Sequence, residues 1–295
     1  MVATVINYCT NDYRFLAACL SEARKFSKEI IVPVCDHFFD GTPENKLLLE
    51  HSYAAHPDVK FIEFALEREG YALYSPFNES DPDWIHYMHS TARYLGYQFI
   101  SPEIEYVLFL DVDEIVDAKK MNAWLKQYPF QGFNAVRYTS YFYFREARFQ
   151  ATKIMRNGLL IKRLNFDENL LLDSTERKGT FDAIPGLKLE DTPALDGRPL
   201  VHHYSWVKTR QEMHKKVQTW GHHLDKNWSV LVEEELKNPF ALKDKFWGFD
   251  YKLVRPFIDP LEVLIPSALL KSSSVNVIKI NRKKNFASKL LKELE

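Results

Sequence analysis

The chain has 295 residues, a net charge of −1 with neutral histidines, and 46% hydrophobic residues. Such a length can bury a large core, and this apolar content argues against intrinsic disorder. The balanced charge produces no overall field that would attract nucleic acid, so we expect no nucleic-acid partner.

Neither the cysteines nor the N-terminal residues indicate secretion. The three cysteines lack CxxC spacing, which argues against a disulfide framework or a zinc ribbon. The first residues enter a strand-like segment without the basic, apolar and small-residue regions of a signal peptide. No run of about 20 apolar residues predicts a membrane span. We therefore expect a cytoplasmic protein.

Strand and helix patterns alternate in the first third of the chain, which predicts parallel strands joined by right-handed crossovers. The strand at 106–110 is an uninterrupted apolar run, typical of a central parallel strand that is buried on both faces. The predicted strands are residues 2–8, 29–34, 59–64 and 106–110, and the predicted helices are residues 13–26, a segment ending near 56, and 84–100.

The second half has a different pattern. Alternation over 133–144 and a further arm at 154–163 predict mixed or antiparallel strands. Turn residues and acids predict a long, partly flexible loop region over 166–198. Residues 211–224 and 230–237 have helical patterns. The predicted fold is α/β, with a mostly parallel central sheet flanked by helices, a smaller antiparallel element and a helical C-terminal extension.

Two acids follow the central predicted strand. Ligands of open α/β sheets bind beyond the carboxyl ends of the strands, where Asp111 and Asp113 fall. Alternation along an extended segment turns residues i and i+2 to the same side, so both carboxylates can face one cation. Oxygen ligands suit Mg²⁺ or Mn²⁺, which would neutralise the phosphates of a nucleoside diphosphate. Two clustered carboxylates repel each other unless a cation is supplied.

Three segments resemble a known family. Residues 107–114, VLFLDVDE, resemble the strand and D-x-D-E motif of family 2 and related GT-A-fold glycosyltransferases. Residues 5–11, VINYCTN, are similar to that family's first strand and nucleotide-contacting turn. Residues 36–42, DHFFDGT, keep the spacing of its second-strand motif but lack the small polar residues. The resemblance implies a GT-A (Rossmann-like) catalytic domain at 1–210, with a nucleotide-binding half at 1–117 and an acceptor half at 118–210, followed by a helical extension at 211–295.

The resemblance also implies roles for individual residues. Asp113 would bind the metal directly, and Asp111 would contact the donor ribose or reach the metal through water. The further implied contacts with the nucleotide-sugar donor, for which a UDP-sugar is expected, are Tyr8, Asn11, Asp36 and Arg93, the last in a segment similar to the family's Ala-Arg-Asn helix motif.

A histidine in the C-terminal half completes the metal site in many GT-A enzymes, and residues 200–207, LVHHYSWV, resemble that element. Strand alternation sends only one imidazole of the pair toward the site. The family pattern favours His203, with His202 as the alternative. His222 and His223 are a further candidate, although a helix C-terminus explains them more simply.

An inverting transferase needs a base that deprotonates the acceptor hydroxyl. Glu176 is the first candidate, because Thr-Glu resembles part of the family's Thr-Glu-Asp motif, and Asp191 in the Glu-Asp pair is its rival. Arg177 or Lys178 could instead pair with phosphate. The other candidate acids of this region are Asp173, Asp182 and Glu190.

The function that these features predict is a metal-dependent transfer of a hexosyl group to a glycan or lipid-linked acceptor in the synthesis of lipopolysaccharide, capsule or glycolipid. Residues 271–295 carry seven basic and two acidic residues, which could make a peripheral contact with the inner face of the membrane. Two alternatives stay open. One is a phosphohydrolase of the haloacid dehalogenase type with Asp111 as nucleophile, and the other is a carbohydrate-binding protein without turnover.

Overall fold

A mixed sheet with helices packed on it forms the protein. The structure, a computed structural model, describes residues 1–66, 84–173, 176–259 and 277–280. Within these ranges the strands are β1 (Val2–Asn7), β2 (Glu29–Cys35), β3 (Lys60–Phe64), β4 (Tyr106–Asp111), β5 (Glu114–Val116), β6 (Ala135–Phe144), β7 (Glu146–Ala151), β8 (Met155–Lys162), β9 (Lys188–Thr192), β10 (Val201–Trp206), β11 (Tyr251–Leu253) and β12 (Val277–Ile280).

The helices lie mainly between these strands along the chain. In the same ranges they are α1 (Tyr13–Ala23), α2 (Lys46–Ala55), α3 (Trp84–Gln98), α4 (Ala118–Gln127), α5 (Leu170–Asp173), α6 (Arg177–Ala183), α7 (Arg210–Thr219) and α8 (Trp228–Leu236).

The strand order confirms the predicted fold class. The main path runs β11-β7-β6-β8-β4-β1-β2-β3-β12. Its β4-β1-β2-β3-β12 half is parallel, and β8 joins β4 in antiparallel pairing. Asn7 of β1 is the register partner of Asp111 of β4, so the carboxyl ends of the two central strands lie side by side. This edge is where a parallel sheet accepts ligands.

Helix α3 packs against β1 and β2 at close range because it carries a glycine at the contact. A Cβ atom at Gly96 would lie 2.6 Å from Cγ1 of Val5 and 3.3 Å from Cδ of Pro33. Val5 is fully buried. The absent side chain therefore lets the helix backbone approach the sheet, and this approach positions the buried face of α3, including Arg93, beneath the strand ends.

The prediction of a long loop region at 166–198 is wrong in part. It contains α5 and α6, and β9 pairs in parallel with β6. Phe181 and Ile184 are buried in the core although polar residues surround them in the sequence. The turn residues and acids of this region lie on the exposed faces of these short helices and strands. Contacts with the rest of the fold stabilise these elements, since their sequences have little helical or strand periodicity of their own.

The C-terminal part contains the two predicted helices, α7 and α8, and also two strands that join the main sheet. β11 pairs with β7, and β12 pairs with the outer edge of β3. An aromatic cluster that includes Phe144, Trp206 and Trp228 packs α7 and α8 against the sheet. The domain division at residue 210 stays a prediction.

The hypothesis of a membrane-binding tail falls mostly on residues 260–276 and 281–295, which lie outside the described residues. None of the helices in the described ranges has the length and apolar character that crossing a membrane requires.

Candidate active site

A cavity of about 790 Å³ opens at the carboxyl ends of β1 and β4. This volume is in the range of small-molecule binding sites. The predicted site residues that line it are Tyr8, Arg93, Asp111, Asp113, Glu176 and His203. Asn11, Asp36 and Asp191 do not line this cavity, and Asp191 instead lines a smaller neighbouring one together with Glu176.

The two aspartates lie at the end of β4, where the chain leaves the sheet. The amide of Val112 donates to the carbonyl of Asn7 at 3.0 Å, which continues the parallel ladder past Asp111. The carbonyl of Asp113 accepts from the amide of Tyr204 in β10 at 2.8 Å. Asp113 is only 4% exposed, so its carboxylate is held in a largely desolvated position.

The pairing of β10 with β5 brings His203 to the aspartates. His203 is the register partner of Glu114, and its Nε2 atom lies 3.5 Å from Oδ1 of Asp113. His202 points to the other face of the strand, where Nδ1 hydrogen bonds with the hydroxyl of Tyr143 at 2.7 Å and the ring stacks on Phe257. Strand alternation thus sends the two imidazoles in opposite directions.

The two carboxylates enter different ion pairs. Arg177 lies 3.1 Å and Arg93 3.7 Å from Asp111, whereas Lys216 lies 3.6 Å from Asp113. Arg177 also forms a bidentate pair with Glu114, whose side chain is fully buried. These cations offset the repulsion between the acids and place positive charge at the cavity wall, where an anionic ligand would be favoured.

The charges of the site follow from this arrangement. Burial raises the pKa of Asp113, but the Lys216 ammonium and the His203 imidazole outweigh it and hold that pKa well below its usual range. Burial likewise raises the pKa of Asp111, and the guanidinium groups of Arg177 and Arg93 bring it below the usual range. Both groups are therefore carboxylates at neutral pH.

Among the described residues, the buried polar atoms of this site without a hydrogen-bond partner include Oδ1 of Asp111, Oδ1 of Asp113 and Nδ1 of His203. The two carboxylate oxygens face His203 at 3.5 Å and Arg93 at 3.7 Å, which are long contacts that leave room for a cation or a ligand to satisfy them more closely. Asp113 and His203 are close enough to share one ion. The ligand atoms of Asp111, Asp113 and His203 do not all lie within 4.8 Å of one another, whereas Nε2 of His203 and Oδ1 of Asp113 are 3.5 Å apart.

Helix α7 supplies Lys216 and is tied to the opening turn of the sheet. Thr209 and Glu212 form a capping box at its N-terminus, and Arg14 pairs with Glu212 at 2.6 Å. Lys216 donates to the Ser205 hydroxyl at 2.7 Å, which aims its ammonium toward Asp113. The sequence offered no signal for Lys216, because only the packing of α7 brings its side chain to the strand ends.

The remaining predicted donor contacts have partners within the protein. The Tyr8 hydroxyl hydrogen bonds with that of Ser52 at 2.8 Å. Asn11 donates through Nδ2 to the carbonyl of Glu212 at 3.1 Å. Oδ1 of Asp36 accepts from the amide of Leu66 at 2.8 Å.

The two candidate bases differ in their surroundings. Oε1 of Glu176 lies 3.0 Å from Nε2 of His222, and both residues line the main cavity. The hydrogen bond from His222 lowers the pKa of Glu176 to about 2. Asp191 does not line this cavity, and its half-exposed side chain pairs with Arg156, which does.

No protein-family model matches the chain, and no curated protein matches it. Among solved structures, it is similar to the galactosyltransferase LgtC in complex with donor and acceptor sugar analogs, with 12% identity over 81% of this chain and 98% of that one and a TM-score of 0.38. The glycosyltransferase GlyE of Streptococcus pneumoniae TIGR4 gives 12% identity over 80% of this chain and 63% of that one, with a TM-score of 0.38. An inositol-1-phosphate CTP transferase from T. maritima gives 8% identity over 79% of this chain and 96% of that one, with a TM-score of 0.37. At these TM-scores none of the likenesses supports an inference about the activity of this chain.

Proposed function

We propose that the protein is a cation-assisted glycosyltransferase that moves a sugar from a nucleotide-sugar donor to a hydroxyl acceptor. The observation that carries this proposal is the buried carboxylate of Asp113 beside His203, at the end of the central strand and on the wall of a cavity of about 790 Å³. The resemblance of residues 107–114 to the D-x-D-E segment of GT-A enzymes concerns the same residues.

The diphosphate of the donor would lie beside Arg177 and Lys216. Both side chains line the cavity and carry positive charge next to the strand ends. Charge-assisted hydrogen bonds from such groups stabilise both the bound diphosphate and the negative charge that develops on the leaving nucleotide. A UDP-sugar is the donor that we propose.

The residues present fit a divalent cation. Asp113 and His203 would hold Mn²⁺ or Mg²⁺ through Oδ1 and Nε2, with Asp111 reaching the ion through water or contacting the donor ribose. Support comes from the unpartnered oxygens of both aspartates. When bound, such an ion neutralises the diphosphate as a Lewis acid.

Glu176 is the base that we favour for deprotonation of the acceptor, because its carboxylate lines the main cavity and Asp191 does not. Glu176→Gln should lower kcat by roughly 100-fold or more. Asp191→Asn should change kcat much less, because Asp191 lies outside this cavity in a pair with Arg156. The opposite order of the two effects would transfer the role to Asp191.

The proposal has four finer parts. They are inverting stereochemistry, a hexosyl donor, a glycan or lipid-linked acceptor, and a role in cell-surface glycan synthesis at the cytoplasmic face of the membrane. They are supported only by the sequence resemblance and by the basic residues of the C-terminal segment.

A donor screen tests the proposal. UDP-, GDP- and CMP-sugars are incubated with the protein and Mn²⁺, and released nucleotide is measured with and without EDTA. Asp113→Asn should abolish release, and Asp58→Asn, which changes an exposed acid paired with Arg24, serves as the control. Equal release by Asp113→Asn and the parent would exclude the proposed role. Phosphate release from sugar phosphates without nucleotide release would favour the phosphohydrolase alternative.

A further inference from the structure

A second group of metal-ligating side chains lies on the cavity wall, on residues that the donor site does not use for its cation. Among the described residues, the ligand atoms of His86, Glu176 and His222 lie within 4.8 Å of one another. They come from the first turn of α3, the residue before α6 and the segment between α7 and α8. Three distant parts of the chain thus converge on one point of the cavity.

The orientation of His222 is set from both sides of its ring. Its Nε2 atom lies 3.0 Å from Oε1 of Glu176, and its Nδ1 atom lies 3.1 Å from Oδ2 of Asp225. With a carboxylate at each ring nitrogen, the imidazole donates from both in the absence of metal. A metal at Nε2 would displace that proton, while Asp225 would keep the proton on Nδ1 and hold the ring in place. Metal-ligating histidines almost always have such an outer partner.

Gly221 provides an independent observation. A Cβ atom at this position would lie 2.8 Å from each ring nitrogen of His86 and closer still to its Cε1 atom. Gly221 does not have a positive φ, so its backbone conformation does not require glycine. A side chain here would instead displace the His86 imidazole, because the chain immediately before His222 passes directly against that ring.

The cluster has a simpler explanation as a protonated His222 between Glu176 and Asp225, since the hydrogen bond to Glu176 raises the pKa of His222. That explanation also includes His86, whose charge lowers the pKa of Glu176. A metal site makes a different demand, that both imidazoles and the carboxylate reach one point, and their ligand atoms do lie within 4.8 Å of one another, with the His86 ring edge-on to that of His222.

The geometry points to a site for a first-row transition metal of the zinc class, bound by His86, Glu176 and His222 and oriented through Asp225. Two imidazoles and one carboxylate suit zinc better than Mg²⁺ or Ca²⁺, which prefer oxygen ligands. Three protein ligands would leave a fourth position for water or a ligand from the cavity, which all three residues line. On the proposed function, an ion here would occupy the carboxylate of the favoured base, so Zn²⁺ would inhibit transfer.

Metal uptake by the full-length chain tests the site without donor or acceptor. After treatment with chelator, Zn²⁺ binding is measured by calorimetry, and Co²⁺ is added to reveal the intense visible bands of four-coordinate cobalt. Asp113→Asn removes a ligand of the first cation and should retain this Zn²⁺ site. His86→Ala and His222→Ala should weaken binding at least 100-fold, and Asp225→Asn by about 10- to 100-fold.

His214→Ala is the matched control, because His214 also pairs with a glutamate, Glu233, at 2.6 Å but belongs to no group of three ligands within the described ranges. It should bind Zn²⁺ as the parent does. Gly221→Ala should weaken binding without removing any ligand. Circular dichroism checks that each variant folds.

Equal Zn²⁺ affinity in the parent, His86→Ala and Asp225→Asn would overturn the inference, as would a parent that binds no Zn²⁺ at micromolar concentration. The Zn²⁺ binding assay contains no nucleotide sugar, so its result does not depend on transferase activity. A protein that binds Zn²⁺ but transfers no sugar would contradict the proposed function and not the metal site.

Discussion

The Nε2 atom of His203 lies 3.5 Å from Oδ1 of Asp113, and this proximity is produced by the sheet. β10 runs antiparallel to β5 with His203 opposite Glu114, and the amide of Tyr204 bonds to the carbonyl of Asp113. The imidazole is therefore held on the same side of the strands as the carboxylate. A shift of one residue in this register would bring His202 there instead.

The two histidines give a first prediction. His203→Ala should raise the Mn²⁺ concentration needed for half-maximal nucleotide release by on the order of 100-fold, because it removes a proposed ligand. His202→Ala should leave that concentration unchanged and lower the free energy of unfolding by about 2 kcal/mol, because the Tyr143 hydroxyl loses one of its two buried partners and keeps only Gln150. Manganese titrations and urea denaturation measure the two effects. Similar manganese requirements for both variants would contradict the assignment of His203.

Arg177 gives a second prediction, on stability. Its guanidinium is the buried partner of Glu114, which is fully buried, and also contacts Asp111. Arg177→Met should lower the free energy of unfolding by about 3 to 5 kcal/mol, because a buried charge is left without its partner. Adding Glu114→Gln should recover part of the loss.

The neighbouring Lys178→Ala is the control for Arg177. Lys178 pairs with Asp182 at the surface, so its loss should cost less than about 1 kcal/mol. Urea denaturation measures all three variants. A cost for Arg177→Met as small as that for Lys178→Ala would mean that the pair with Glu114 is not formed.

Glu44 gives a prediction about pH. Burial raises its pKa to about 7, although Thr10 donates to its carboxylate through the backbone amide. The folded state therefore binds this proton more tightly than the unfolded state, and stability falls as pH rises from about 4.5 to 7. Glu44→Gln should remove this loss. The variant should gain about 2 to 3 kcal/mol on the parent between pH 5 and pH 8, measured by urea denaturation at both values. A gain that does not change with pH would show that Glu44 titrates normally.

The glycine of α3 gives a prediction about packing. Gly96→Ala should lower the free energy of unfolding by about 1 to 3 kcal/mol, because the new Cβ would meet the fully buried Val5 side chain at 2.6 Å. Val5→Ala should reduce that cost in the double variant. Gly132→Ala is the control, since a Cβ there meets no atom within 4 Å and φ is not positive. Thermal unfolding compares the four proteins, and equal midpoints for the two glycine variants would refute the close approach of α3.

Several features could be predicted from sequence because their signals are local. The apolar run that ends at Asp111 predicted a central parallel strand, and β4 has that position between β1 and β8. Alternation predicted that only one of His202 and His203 faces the strand ends, which the opposite directions of their side chains confirm. These patterns depend only on which residues prefer to be buried and on the two-residue repeat of an extended chain.

Other features could not be predicted, because they depend on contacts between distant segments. α6 and β9 have no strong periodicity and form where the sheet receives them. Arg177 lies close to Asp111 and Glu114 only because α6 packs at the strand ends.

The sequence by itself determined the alternation of strands and helices in the first third, the central strand and the two acids that follow it. The tertiary structure alone decided which cations neutralise each acid and which side chains gather around His222. The physical reason is that backbone propensity and burial patterns act over a few neighbouring residues, whereas charges pair and ligands converge through space, across elements that the sheet register brings together.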